Sequence, residues 1–484
     1  MDARWSALPY LALLLFLLTA AGYYAVPLWD SDFWWHIASG REILQNGLPD
    51  VDPFGVFPAA DAVRNDTVLK GQWLGQVVLY GLYAAGGVDA VVAFRVAVLL
   101  ACLWLLFLRG RWLGATAPAL WLVSVVVALN LAEFGGERPQ LLSFLFASMV
   151  FALVDRAEHG RRRGLLLVPV IVLLWANSHG GVILGVVLLA LWAGVKGFDG
   201  SLPSAHRLQW VALAVASFLA SLLTPNGIQT YLYLFDLEGS VLQSRTSEYV
   251  SSLQLYTLGH AWPQLWALVY FVLAALAAVL LFRQRQWPRL AVLLFLAAIS
   301  VVSVRYLVFF LFLAGPYLML AIDGLLKPLA VRVGARWAYG LLCLALLAVL
   351  LVGVARGMVF RGGLYQPAYP VAIADFVKQR GLQGRAFNNL EWGGYLLWQL
   401  SPAVTPYIDG RMLDQARFPP YTHMLWATAQ GRQWFERQGF DLVILPHHGR
   451  YDPERYRLID YLSARRDWQR VYTDAQGVVF VRRR

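Results

Sequence analysis

The sequence predicts an α-helical polytopic membrane protein: about eleven transmembrane helices, followed by a small external C-terminal α/β domain. Three observations predict it. Hydrophobic residues make up 59% of the 484-residue chain and charged residues only 14%, against about 25% charged in soluble domains. Apolar runs long enough to span a bilayer recur from Leu8 to Ala355. The cations between those runs fall in alternate connections, as the positive-inside rule requires. This pattern excludes a soluble globular enzyme, a disordered chain and a disulfide scaffold. Cys102 and Cys343 lie inside apolar runs, so no cysteine framework or cysteine metal site is encoded. The formal charge of +11 is nearly all Arg, since lysine occurs only at Lys70, Lys196, Lys327 and Lys378. Its place in short loops points to membrane orientation rather than to nucleic acid.

Leu8 to Trp29 is the first uncharged run. The small residues Thr19-Ala20-Ala21-Gly22 would suit signal-peptide cleavage, but the topology closes only if the helix is retained. Val88 to Leu108 follows, uncharged apart from Arg95, then Leu113 to Ala132 and Pro139 to Val154. Gly164 to Val195 is long enough for two short helices hinged at Asn177-Ser178-His179-Gly180-Gly181. Leu208 to Thr224, Ala261 to Phe282 and Trp337 to Ala355 are single runs. Leu290 to Ile322 suits a hairpin turning at Arg305. Arg109 and Arg111, Arg156 through Arg163, Lys196 with Arg207, Arg283 with Arg285, and Lys327 through Arg336 mark the cytoplasmic connections, with Arg4 on the same side. The N-terminus is therefore expected in the cytoplasm and the C-terminus outside, which in a bacterium is the periplasmic side of the inner membrane. No internal repeat of the inverted-transporter kind is visible.

The expected organisation is a transmembrane module over 1–356, with external loops at 30–87 and 226–260, and an α/β domain over 357–484. Within the first loop, Gln72 to Ala85 reads as an amphipathic helix at the interface. In the C-terminal domain, Val371 to Arg380 reads as a helix, Arg385 to Asn388 and Val404 to Ile408 as strands. A helix closing at Glu436-Arg437, a strand from Asp441 to Leu445 and a hairpin of Trp468–Tyr472 with Gly477–Val481 complete it.

The first loop opens Asp30-Ser31-Asp32-Phe33-Trp34-Trp35-His36 and continues to Arg41, Gly47-Leu48-Pro49 and Asp50-Val51-Asp52-Pro53. Acids immediately after a first transmembrane helix are costly unless solvated or paired. Asp32 and His36 share one face of any helix formed there. A carboxylate among aromatic rings at the membrane surface suits proton abstraction from a hydroxyl or ligation of a divalent cation. Asp30 also suits a helix cap, and Asp50 and Asp52-Pro53 a turn.

This pattern of Asp, two aromatic residues and His, then Arg and Asn-Gly-x-Pro-x-x-Asp, resembles the first external loop of the catalytic subunit of oligosaccharyltransferases. More broadly, the chain resembles the GT-C superfamily of membrane glycosyltransferases. The resemblance covers most of the chain in layout, through short motifs. It implies an enzyme that uses a polyprenyl-phosphate-linked sugar, with Asp32 catalytic and Asp30 and His36 beside it. Arg245-Thr246-Ser247-Glu248-Tyr249 is similar to the Glu-ending motif near metal and acceptor in that family, and is otherwise an ordinary loop acid. Glu391-Trp392-Gly393-Gly394-Tyr395 resembles the acceptor-reading motif but departs from it, having one Trp, Glu for Asp and a displaced Tyr. Otherwise it is a Gly-Gly turn starting a helix. Thr405 to Arg411 could build a strand-end site. Glu133 to Pro139 stands where the family carries an Asp-x-Asp metal motif and does not match it. The cofactor is left open, Mg2+ or Mn2+ being the candidates, with Asp32, Glu137 and Glu248 as ligands.

Arg305 lies in an otherwise uncharged stretch, and an intramembrane Arg points by default to a bound anion. Its planar fork suits phosphate; the competing role is snorkelling to headgroups. Arg138 and Arg95 are weaker candidates for the same task. Asn177-Ser178-His179 either lines the same cleft or satisfies helix-end carbonyls. The expectation is an integral membrane glycosyltransferase that transfers a sugar, with inversion, from a polyprenyl-phosphate donor held by Arg305, Arg138 and Arg95. The acceptor, a glycan, lipid or protein, would meet Glu248, Trp392 and Tyr395 on the external face. The alternatives are a non-catalytic scaffold or glycan-export component with the same fold and, third, a transporter.

Overall fold

The computed structural model describes residues 7–55, 67–237, 251–252, 261–330, 335–449 and 454–483. These divide into two compact units. The first comprises Met1–Pro27, Val88–Tyr231 and Gln243–Gly363, and the second Leu28–Gly87, Leu232–Leu242 and Leu364–Arg484.

Every apolar run of the first unit is helical. The helices are α1 (Leu8–Tyr24), α2 (Phe33–Asn46, in the second unit), α3 (Trp73–Trp112), α4 (Ala117–Phe134), α5 (Gln140–Glu158), α6 (Val168–Ser178) and α7 (Val182–Gly197). Then follow α8 (Ser204–Ser221), α9 (Gln229–Leu237), α10 (Ala261–Arg283), α11 (Trp287–Val302), α12 (Leu307–Ala330) and α13 (Ala335–Ala355). Helix α3 is broken at Gly86 and Gly87, whose backbone is non-helical. This separates the helix expected from Gln72 from the run expected from Val88. The expected hinge falls between α6 and α7, and the Arg305 hairpin turns between α11 and α12 through a short 3-10 turn at Val304–Tyr306. Among the described residues, four helices are long and apolar enough to cross a membrane: Trp73–Trp112, Gln140–Glu158, Val304–Asp323 and Trp337–Ala355. Five shorter apolar helices accompany them.

Helix α12 is apolar all round from Leu307 to Ile322, and such a helix belongs in the interior. It packs against α4, α5, α10 and α11, and 89% of its apolar window is buried, against 17% for α13. Pro316 lies inside α12 and cannot supply the N–H that would bond the carbonyl of Phe312. Arg109 takes that place: Nη1 donates to Phe312 O at 3.1 Å and Nη2 to Leu313 O at 2.9 Å. Its Nε donates to Asp155 Oδ2 at 2.7 Å, and both side chains are almost fully buried. Arg109 is thus an interior cation, not the loop cation its position suggested. At the other end of the bundle Arg95 donates to Glu137 and to the carbonyls of Tyr24 and Val26, which are left open where α1 ends.

The second unit centres on a five-stranded sheet. Its strands are β1 (Gly384–Asn388), β2 (Val404–Pro406), β3 (Leu442–Pro446), β4 (Trp468–Thr473) and β5 (Gly477–Arg482), in the order β2-β1-β3-β5-β4. The first three are parallel, with Phe387 opposite Val443, and β5 runs antiparallel to β3 and β4. β3 is apolar along nearly its whole length because it is the central strand. Helices α14 (Val371–Gln379), α15 (Leu390–Leu400), α16 (Phe418–Leu425), α17 (Ala429–Gln438) and α18 (Arg457–Ser463) surround it. Phe387, Phe435, Phe440, Val443, Trp468 and Phe480 form its core.

Candidate active site

Asp32 stands immediately before α2, which packs against α15. Its partners divide the two acids of the motif. Asp30 is buried, and its Oδ1 accepts the Asp32 N–H at 3.0 Å while its carbonyl accepts from Tyr369 Oη at 3.1 Å. Asp32 is only half-buried. Asp30 therefore shapes the turn, and Asp32 is the acid left with access to solvent. His36 is buried with its ring lying on Trp35, centroids 3.5 Å apart.

The strand-end segment anticipated at Thr405–Arg411 forms the other wall. Asn388, at the end of β1, donates to Ile408 O at 2.7 Å and accepts from Tyr407 N at 2.8 Å. This fixes the chain as it leaves β2. Gly410 then lies against Asp32: a Cβ there would stand 2.0 Å from Asp32 Oδ1 and 3.1 Å from Trp35 Nε1. Only a residue without a side chain fits. Arg411 closes the turn. It grips Asp409 through Nε at 2.9 Å and Nη2 at 2.8 Å, and Asp52 through Nη1 at 2.5 Å and Nη2 at 3.3 Å. Burial opposes the charge on Asp409, but the Arg411 guanidinium outweighs it and holds the carboxyl below the usual carboxylate range. Asp52 thus anchors the loop as well as making the expected turn, in which it accepts from Phe54 N at 3.2 Å. The cavity beside this clamp, lined by Asp52, Phe54, Asp409, Arg411 and Arg417, is about 40 Å³. That is room for a few waters and not for a sugar.

The Glu391–Tyr395 motif is a helix start, capped by Asn389, whose Oδ1 accepts from Glu391 N at 2.9 Å and Trp392 N at 3.3 Å. Its glycines sit within the first turn of α15 rather than in a turn before it. A Cβ on Gly393 would stand 2.2 Å from Ile408 O, and one on Gly394 would stand 3.0 Å from Ser31 O. The pair lets α15 touch both walls of the Asp32 site. Trp392 is 6% exposed and Tyr395 4%. Tyr395 packs edge-on to Trp34 at 4.9 Å and stacks with Tyr369 at 5.4 Å. Burial, with Asp375 and Tyr83 nearby, pushes its phenol up to about 12. These are core contacts, so the acceptor-reading roles expected of Trp392 and Tyr395 do not fit. Glu248 lies outside the described residues.

In the first unit, Arg138, His179 and Arg305 each stand just before a helix: α5 at Gln140, α7 at Val182 and α12 at Leu307. Helix α5 packs against both α7 and α12. Helix N-termini carry partial positive charge, which the arginines reinforce. His179 belongs to the link between α6 and α7. Packing around its ring, then the charges of Arg305 and Arg138, hold it well below the usual histidine range, at about 3. Its neighbours in the motif take the carbonyl-capping role: Asn177 Nδ2 donates to Leu223 O at 3.0 Å, and Ser178 Oγ to Leu174 O at 2.7 Å. Arg95 does not fit the phosphate role expected of it. It is 2% exposed and bound to Glu137 and two carbonyls. The same pairing occupies Glu137, expected as a metal ligand and fully buried. Among the described residues no three His, Cys, Asp or Glu side chains gather as a metal site. Gly410 and Arg411 lie in the strand-end segment expected from the sequence, and Asn388 and Asn389 complete the second-unit site. Of these, the Asn-Asn pair before a helix carried a readable signal, since Asn is a preferred N-cap.

No family model matches this sequence, and no curated protein matches it. The fold is similar to that of solved structures of an archaeal oligosaccharyltransferase and of ArnT. One similar solved structure is the archaeal oligosaccharyltransferase AglB from Archaeoglobus fulgidus in complex with an inhibitory peptide and a dolichol-phosphate. It has a TM-score of 0.60 and 11% identity, over 91% of this chain and 69% of that one. Another is ArnT from Cupriavidus metallidurans bound to undecaprenyl phosphate, with a TM-score of 0.51 and 15% identity, over 99% of this chain and 98% of that one. The apo state of the same ArnT gives 0.53, at 15% identity over 98% and 97%.

Proposed function

We propose that this chain is an integral membrane glycosyltransferase of GT-C type, which moves a sugar from a polyprenyl-phosphate-linked donor to an acceptor on the external face. One observation carries the reading: Arg138 and Arg305 gather with His179 at three helix starts in the bundle. Such a setting suits a phosphate that arrives from the bilayer. The likeness in fold to AglB and ArnT, solved with dolichol-phosphate and undecaprenyl phosphate, supports it. In this reading about eleven helices cross the membrane, the N-terminus is cytoplasmic, and the domain over 357–484 is external.

Asp32 is the general base. It removes the proton as the acceptor oxygen bonds to the anomeric carbon, the bond from that carbon to the phosphate oxygen breaks, and the lipid phosphate leaves with the electron pair. Arg305 and Arg138 stabilise the charge that gathers on that phosphate. The clamp of Asp409, Gly410 and Arg411 holds the wall beside Asp32, at a distance set by backbone rather than by a side chain.

The test uses purified full-length protein in proteoliposomes, with a panel of radiolabelled polyprenyl-phosphate sugars. Release or transfer of label should require Asp32. Asp32→Asn should lower the rate at least tenfold, since a general base supplies about 10²–10⁴-fold, while leaving insertion and folding unchanged. Binding of the lipids without any turnover would favour a non-catalytic scaffold instead.

A further inference from the structure

The hydrogen bonds around His179 fix more than its position. The Gly181 N–H donates to His179 Nδ1 at 2.9 Å. An amide can only donate, so Nδ1 is an acceptor and carries no proton. The second contact on that atom agrees. Ser143 Oγ lies 2.8 Å from Nδ1, and the same oxygen accepts from Trp175 Nε1 at 2.6 Å, which leaves its own hydrogen to point at the imidazole. The contact is built closely: a Cβ on Gly181 would stand 2.6 Å from Ser143 Oγ and 3.0 Å from Nδ1. With Nδ1 unprotonated, the ring's one proton is on Nε2. Nε2 has no hydrogen-bond partner among the described residues. The ring is half-buried, and the charges that act on it are those of Arg138, ahead of α5, and Arg305, ahead of α12.

We propose that His179, held as the neutral Nε2–H tautomer by Gly181, Ser143 and Trp175, is a third ligand for the phosphate of a lipid phosphate bound by Arg138 and Arg305. The inference rests on the phosphate reading above and adds to it an uncharged donor with a set direction. Two arginines supply charge; an imidazole N–H supplies orientation, because its single proton defines one line to one oxygen. A cationic histidine there would add a third positive charge to the cluster. The relay from Trp175 avoids that.

The experiment measures binding of undecaprenyl phosphate to the full chain in nanodiscs, with inorganic phosphate as competitor. A hydrogen bond to a charged group is worth about 1.5–3 kcal/mol, so His179→Ala should weaken binding about tenfold or more. His179→Gln keeps an N–H at similar reach and should recover part of the loss. Ser143→Ala should give an intermediate loss. Nitrogen-15 NMR of the labelled histidines, assigned by the loss of one signal in His179→Ala, should show Nδ1 bare and Nε2 protonated before lipid is added. The Nε2 resonance should then move on binding. Tight binding in His179→Ala and His179→Gln, alongside a tenfold loss in Arg305→Ala, would overturn the inference and leave the phosphate reading intact. Unchanged binding in both Arg305→Ala and Arg138→Ala would overturn the phosphate reading itself. Competition by inorganic phosphate as strong as by the lipid would assign the site to a free anion and refute the lipid ligand. A protonated Nδ1 would refute the relay.

Discussion

Replacing Arg411 with Met should destabilise the second unit in a way that depends on pH. Arg411 is the only group that bonds both Asp52 and Asp409 among the described contacts, and its side chain is 3% exposed. Removing one partner from a buried ion pair costs about 3–5 kcal/mol, because the remaining charge is stranded. For a unit of this size that corresponds to a fall of roughly 6–20 °C in the unfolding midpoint. The chain carries 20 Trp, so intrinsic fluorescence during a thermal ramp in detergent reports the change. The sign of the pH effect follows from Asp409, whose carboxyl is held below its ordinary range. Its ionic contribution is fully present above the unfolded value of about 3.9 and is lost as pH falls through the folded value. The variant lacks that contribution at every pH. The gap between wild type and variant should therefore be widest from about pH 5 to 8, begin to narrow below about pH 4 and close only as pH falls through the lowered folded value of Asp409. A variant that melts with the wild type at neutral pH, or a gap that stays constant into acid, would refute the reasoning.

Two further outcomes follow from contacts elsewhere. Gly410→Ala places a methyl group where Asp32 Oδ1 now lies, and a displacement of that size costs about a hundredfold in rate. The expected result is a fall in kcat of that order with a melting midpoint near that of the wild type; unchanged kcat would remove the wall from the site. For topology, Arg161→Cys and Gln229→Cys should react with an impermeant thiol reagent from opposite faces of sealed vesicles. Cys102 and Cys343 are buried and should stay silent. Labelling of both new cysteines from one face would refute the proposed crossing pattern.

The helices were legible because lipid-spanning segments announce themselves by length and apolarity, and the Asn177–Gly181 hinge because glycine and polar residues interrupt that signal. The strands of the second unit were legible as short apolar runs bounded by turn residues. The ion pairs were not. Arg95 and Glu137 are 42 residues apart, and a buried Arg looks the same in sequence whether it awaits a ligand or already holds a carboxylate. Arg411 and Asp52 are 359 apart. Asp52 reads locally as a turn residue, which it also is. Trp392 and Tyr395 misled because an aromatic motif has the same letters on a surface as in a core. His179 was visible only as a possible cleft residue; its tautomer needed the Gly181 amide in three dimensions.

The tie between Arg109 and the proline-bearing helix α12 has a consequence for how the chain is made. Arg109 leaves the ribosome well before Asp155, and long before Phe312 and Leu313, its three eventual partners. A lone Arg at mid-bilayer costs roughly 2.5–3.5 kcal/mol on insertion scales, so during synthesis its guanidinium waits at the water boundary, which its place near the C-terminal end of α3 allows. Pro316 arrives last, bringing an open carbonyl that neither lipid nor its own helix can satisfy. Cation and carbonyl are each costly alone and meet only when the central helix docks. Assembly of the bundle therefore has a late, polar locking step, and until then the half-made chain has reason to stay with the insertion machinery.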